Sequence, residues 1–181
     1  MKKHIFIVNG MARAGKDTFA DILKELTPGV SKFSSIDTVK EIASHLGWDG
    51  GKTEEDRKFL SDLKVLLSQY SDIPFRSIIK EVSVFYDCDS LFRDRRNVLL
   101  IDIREPEEIE RAKVAFNAKT VFIENNRVDK IVSNMADAGV YNYEYDYIVE
   151  NNGTLEEFRE NIKEFAKKAG LDIHGCVECT T

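Results

Sequence analysis

Residues 4–20, His-Ile-Phe-Ile-Val-Asn-Gly-Met-Ala-Arg-Ala-Gly-Lys-Asp-Thr-Phe-Ala, restrict the fold more than any other stretch of this 181-residue chain. An apolar β-type run, Ile5-Phe6-Ile7-Val8, stops at Gly10, and a helical pattern begins at Lys16. Between them lies Gly10-x-x-x-x-Gly15-Lys16, the spacing of a phosphate-binding loop joining a first strand to a first helix. Glycines let the backbone wrap closely round a phosphate chain, so that successive N–H groups point inward. The positive end of the following helix adds to that field. Lys16 supplies a mobile charge for the β- and γ-phosphates of a nucleoside triphosphate. Gly10, Arg13, Ala14, Gly15, Lys16, Asp17 and Thr18 are thus candidate nucleotide-binding residues. After the lysine a Ser or Thr is the usual Mg²⁺ ligand; here Asp17 takes that place and Thr18 follows. A carboxylate suits Mg²⁺ directly or through water, and Thr18 can hydrogen-bond a phosphate.

The rest of the chain alternates strand and helix patterns. Strands are expected near 4–9, 30–33, 97–102, 119–124 and 146–150. Asn97-Val-Leu-Leu-Ile-Asp102 is a near-continuous apolar run of the kind buried in a parallel sheet. Helices are expected at about 16–26, 37–46, from Thr53 through Tyr70, from Pro74 through Tyr86, at 105–116 and at 154–168. Thr53-Glu-Glu-Asp56 and Thr154-Leu-Glu-Glu157 read as helix starts that cap themselves. The second helix is expected to be apolar at Val39, Ile42, Ala43 and Leu46. Phe59, Leu60, Leu63, Leu66, Leu67 and Tyr70 recur at helical spacing in the third, and Phe75, Ile78, Ile79, Val82, Phe85 and Tyr86 form the expected buried stripe of the fourth. These aromatics read as core, not as a stacking platform for nucleic acid.

The alternation predicts an α/β fold: a doubly wound, five-stranded parallel sheet carrying the phosphate loop, with a helical insertion between strands two and three. One domain, 1–181, is expected, with about 37–96 as an acceptor-side insertion, about 125–145 as a lid-like connection and 172–181 as a flexible tail. Net charge is −6, which disfavours nucleic-acid polymers and anionic membranes as partners. No apolar run approaches a membrane span and none after Met1-Lys2-Lys3 suits a signal peptide, so a cytoplasmic protein is expected. Cys88, Cys176 and Cys179 are too few for a disulfide framework. His174-Gly-Cys176-Val-Glu-Cys179 lacks a fourth zinc ligand and reads as a frayed tail.

In doubly wound sheets, ligands bind at the carboxyl ends of the strands. That rule selects Asp102 as a Mg²⁺-organising carboxylate alongside Asp17, with a helix-capping acid as the other reading, and Arg104 as a bidentate phosphate partner. Ser34, Ser35, Asp37 and Lys40 follow strand two on the ligand side and are candidates for the acceptor. Arg57 either lines that cleft or is a plain surface charge. Arg93, Arg95 and Arg96 precede strand three and read as a solvated loop at the opposite end. Arg127 follows strand four and can swing over a transferring phosphoryl group. Asn151-Asn152-Gly153 follows strand five, either to meet a nucleobase edge or as an ordinary turn and cap.

With these motifs in place the chain resembles P-loop nucleoside monophosphate kinases, and most closely the phage-type deoxynucleoside monophosphate kinases. Gly15-Lys16-Asp17-Thr18, Asp102-Ile-Arg104, Arg127 and Asn151-Asn-Gly-Thr-Leu-Glu-Glu157 carry the resemblance, which fades across 37–96. It implies ATP and Mg²⁺ as donor and a phosphorylated small molecule as acceptor. It also implies that Lys16 and Arg127 stabilise the moving phosphoryl group, that Asp17, Thr18 and Asp102 hold or orient the metal and phosphates, and that Arg104, a catalytic candidate, serves the phosphate-bearing side of the cleft; Asn151 and Gly153 are nucleotide-binding candidates. Other expectations are the same fold acting on phosphomevalonate or dephospho-coenzyme A, or a nucleotide-binding switch without transfer. The oligomeric state stays open.

Overall fold

The computed structural model describes residues 2–87, 96–127 and 143–173. Cys88, Arg93, Arg95, Lys130, most of the lid-like connection and the His174–Cys179 tail lie outside them. Five strands form one sheet: β1 (His4–Asn9), β2 (Val30–Ser34), β3 (Val98–Asp102), β4 (Lys119–Glu124) and β5 (Tyr147–Glu150), in the order β2-β3-β1-β4-β5. β1 runs parallel to β3, with Val8 opposite Asp102, and parallel to β4, with Asn9 opposite Phe122. β4 and β5 are parallel too and finish together, Glu124 opposite Glu150. The expected doubly wound parallel sheet is therefore present, and its strand ends bring residues 9–10, 102–104, 124–127 and 150–153 to one edge.

The chain divides into two compact units, 1–32 with 88–181, and 33–87. In the first, helices α1 (Lys16–Leu26) and α6 (Leu155–Lys168) pack on each other, and α5 (Pro106–Phe116) packs on β1 and β4. Strand alternation sends Phe6, Val8, Val121 and Ile123 into a cluster with Phe19 and Leu23 of α1 and Phe158, Ile162 and Phe165 of α6. Phe165 meets Phe6 and Tyr147 edge-on at ring separations of 5.2 Å, the geometry aromatic quadrupoles favour. The alternate β1 residues Ile5 and Ile7, and Ile109 and Ala112 of α5, are equally buried. All five apolar residues of α1, Phe19, Ala20, Ile22, Leu23 and Leu26, are buried.

The second unit holds α2 (Ser35–His45), α3 (Glu54–Ser71) and α4 (Ile73–Asp87), each packed on the other two. Its cluster of Val39, Ala43 and Leu63 is flanked by half-buried Ile42, Trp48, Leu60 and Leu67. Burial departs from the apolar pattern at three places here. Leu46, at the end of α2, is exposed. In α3 only Leu63 is fully buried, while Phe59, Leu66 and Tyr70, on one flank of the apolar stripe, face out, because the stripe is wider than the face that α2 and α4 cover. In α4, Phe75, Ile78, Val82 and Phe85 are buried, but Ile79 and Tyr86, on the edge of that stripe, are not.

Candidate functional site

The loop after β1 is held in a cradle by three backbone angles. Gly10 (φ 152°) and Gly15 (φ 102°) take positive φ, and so does Arg13 (φ 64°), a side-chain-bearing residue in the left-handed region. A Cβ on Gly10 would lie 2.7 Å from the Ile123 carbonyl oxygen, so the loop starts against β4 where only glycine fits. Asn9 fixes the same point from the β1 side. It is fully buried, its Oδ1 accepts from the Gly10 N–H at 2.7 Å, and its amide donates to the Arg104 carbonyl at 3.3 Å and the Tyr145 hydroxyl at 2.9 Å. Burial pushes the Tyr145 hydroxyl up to about 12, with the Asn9 hydrogen bond working the other way.

At the far side of the loop, Asn151 donates from its amide to the Ala14 carbonyl at 2.8 Å. Its backbone N–H meets the Glu124 carbonyl at 2.7 Å, and its carbonyl accepts from the Arg127 guanidinium at 3.0 Å. The Asn126 N–H donates to Asn152 Oδ1 at 2.7 Å. The turns after β4 and β5 are thus stitched to each other and to the phosphate loop. Gly153 opens α6 beside the Thr154–Glu157 capping box, where a Cβ would fall 2.0 Å from Glu157 Oε2.

Lys16 folds back over its own loop, donating from Nζ to the Gly10 and Met11 carbonyls at 2.7 and 3.0 Å. Burial first, then the neighbouring Arg104 charge, lowers its pKa to about 8, against partial support from Asp102 and Asp17. Asp17 and Thr18 are exposed at the start of α1. Asp102, at the end of β3, is mostly buried, and its Oδ1 has no hydrogen-bond partner among the described residues. Burial raises its pKa, with Lys32 working the other way.

Lys32 was missed in the sequence. Its Nζ lies 3.1 Å from Asp102 Oδ2 and is also hydrogen-bonded to Asp17 Oδ1, so one ammonium bridges the two expected metal carboxylates. Burial alone would lower its pKa, but the hydrogen bond to Asp17 and the Asp102 charge outweigh this and hold it above the ordinary lysine value. The only signal in the sequence is a lysine in the middle of a short strand, Val30-Ser-Lys-Phe33. Asn9 and Tyr145 were missed as well; a polar residue closing an apolar strand just before a glycine was the available hint for Asn9.

Among the described residues no group of three or more His, Cys, Asp or Glu converges on a metal position. Two carboxylates, one with a buried oxygen left unpaired, instead fit Mg²⁺, which keeps waters and takes the rest of its ligands from phosphates. Arg104 is exposed at the same edge and contributes its charge near Lys16.

The acceptor candidates belong to the second unit. Ser35 is buried at the first position of α2, the Asp37 carboxylate accepts from the Ser34 N–H at 3.1 Å as part of the helix cap, and Lys40 lies 3.7 Å from Asp37. Arg57 is exposed on the first turns of α3.

No family model matches the chain, and no curated protein matches it. Solved structures do. A tunicamycin resistance protein from Deinococcus radiodurans aligns over 95% of this chain and 98% of its own, at 11% identity and a TM-score of 0.57. The protein TT1252 from Thermus thermophilus aligns over 93% and 98%, at 16% identity and a TM-score of 0.51. Dephospho-CoA kinase from Campylobacter jejuni aligns over 92% and 97%, at 18% identity and a TM-score of 0.49. At these identities the first two share the fold with this chain.

Proposed function

We propose that this chain is a phosphotransferase that moves the γ-phosphoryl group of ATP to a small phosphate-bearing acceptor, a nucleoside or deoxynucleoside monophosphate in the first instance. The observation that carries the proposal is the loop itself. A cradle of positive-φ residues is braced by Asn9 and Asn151, with Lys16 over its mouth and Asp17, Asp102 and Arg104 round it.

Phosphoryl transfer needs positioning and charge neutralisation more than a covalent partner, and these residues supply both. The loop N–H groups and the α1 N-terminus hold the β-phosphate. Lys16 exchanges its two carbonyl partners for phosphate oxygens, and because it is largely buried its charge acts with little screening. Asp17 and Asp102 would hold Mg²⁺, which when bound would offset the negative charge of the phosphates. Arg104 faces the phosphates from the β3 end. Arg127, one of whose guanidinium N–H groups donates to the Asn151 carbonyl, would direct its charge at the transferring group. Asn151 and Gly153 hold the turn beside which the nucleotide base would lie, and Ser35, Asp37, Lys40 and Arg57 are the acceptor-side candidates.

The test is ADP release from ATP and Mg²⁺ against a panel of nucleoside monophosphates, phosphomevalonate and dephospho-coenzyme A. Acceptor-dependent ADP with a nucleoside monophosphate is expected. Release only with one of the other two keeps the transfer and changes the acceptor, and release with none leaves a nucleotide-binding switch.

A further inference from the structure

The bridge between Asp17 and Asp102 gives Lys32 a role of its own. We infer that Lys32 is a built-in counter-cation of the metal site: it fills the cation position in the nucleotide-free protein and must leave for a divalent ion to enter. The inference rests on the proposed metal role of the two carboxylates and adds a competitor to it.

Three observations support it. First, Nζ contacts one oxygen of each carboxylate, so the acceptors that would hold a metal cation are already engaged by an ammonium. Second, the two halves of the bridge differ. The Asp17 side chain is 90% exposed, so that contact is weak and easily surrendered, whereas Lys32 and Asp102 are 21% and 18% exposed and shield each other from water. Third, Lys32 satisfies Asp102 only in part. Oδ1 is buried and unpartnered, an acceptor that the single ammonium leaves unused and that a divalent ion with its larger charge would fill. A dication placed against Asp102 with Lys32 still in contact would face a like charge within a few ångströms in a poorly screened site. The β2 backbone is fixed in the sheet, so the movement falls to the four-methylene stem of Lys32.

The experiment is calorimetric titration of the nucleotide-free full chain with MnCl₂, comparing wild type, Lys32→Met and Lys32→Arg. Methionine keeps most of the apolar stem and removes the charge; arginine keeps the charge. Lys32→Met is expected to bind Mn²⁺ roughly tenfold or more tightly than wild type. Lys32→Arg should stay close to wild type, and adding Asp102→Asn to Lys32→Met should abolish the gain. Equal affinities, weaker binding by Lys32→Met, an equal gain with arginine, or no binding by any chain overturns the inference. Should the methionine variant not fold, wild type alone decides: acetylation of Lys32, read by mass spectrometry with Lys119 as internal standard, should accelerate several-fold as Mn²⁺ is added, and a flat rate overturns it. The kinase reading fails separately, as absence of ADP with every acceptor while the Mn²⁺ result stands.

Discussion

Gly15 is the residue at which the loop can be attacked with the least ambiguity. Its φ of 102° already disfavours a side chain, and a Cβ there would sit 2.5 Å from Asn151 Nδ2. Gly15→Ala is expected to cost about 1–3 kcal/mol of stability, read as a lower urea midpoint, and to weaken ATP binding. An unchanged midpoint would mean that the loop relaxes away from Asn151. Lys16→Met separates chemistry from folding. Burial already disfavours the ammonium, so the melting temperature should hold or rise while ATP-dependent turnover falls by about 10²–10³-fold. Lost stability with turnover retained would remove Lys16 from the site. Spacing alone singles out Gly10, Gly15 and Lys16 as candidates, and the loop they bound does take positive φ at both glycines, with Lys16 folded over it. Lys32 was hidden for the opposite reason: its partners lie 15 and 70 positions away, and nothing local records them.

Among the elements, β4 and β5 are clasped at their starts by Asp146. Its Oδ2 accepts from the Thr120 N–H and hydroxyl at 2.9 Å each, Oδ1 accepts from Lys119 at 2.8 Å, and its own N–H donates to Thr120 Oγ1 at 2.8 Å. Burial pushes the carboxyl up, but these bonds outweigh it and leave its pKa below the ordinary 3.8. As pH falls, the unfolded chain therefore takes up this proton first. The stabilisation is whole above about pH 4 and is lost as pH drops through the lower folded value. Asp146→Asn should cost roughly 1–3 kcal/mol near neutral pH by urea unfolding, with the gap between the two chains closing below pH 4. A gap that persists in acid would show that Asn disrupts the clasp by shape and not by charge. Element boundaries were legible where a cap spelled them out, as at Thr53–Asp56 and Thr154–Glu157. The start of α2 was placed two residues late, because β2 runs straight from Ser34 into the helix and Asp37 serves the cap from inside it.

For the molecule as a whole, the alternation of strands and helices was enough to predict the parallel sheet, since strands buried on both faces announce themselves as apolar runs. Burial within α3 was not legible, because a stripe of six apolar residues does not say how much of it a neighbour will cover. Two of the described clusters also differ in size. The cluster joining α2 and α3 rests on Val39, Ala43 and Leu63, while β1, β4, α1 and α6 share a far larger one. Hydrogen exchange should accordingly open α3 well before β3, and equal protection of the two would contradict that difference in packing. The sheet order has a further consequence, in the timing of synthesis. β1 lies between β3 and β4, both of which are made after it. A nascent chain therefore carries Ile5–Val8 as an apolar strand without its β3 partner until residue 102 emerges, and its loop stays without the Asn151 brace until residue 151 follows.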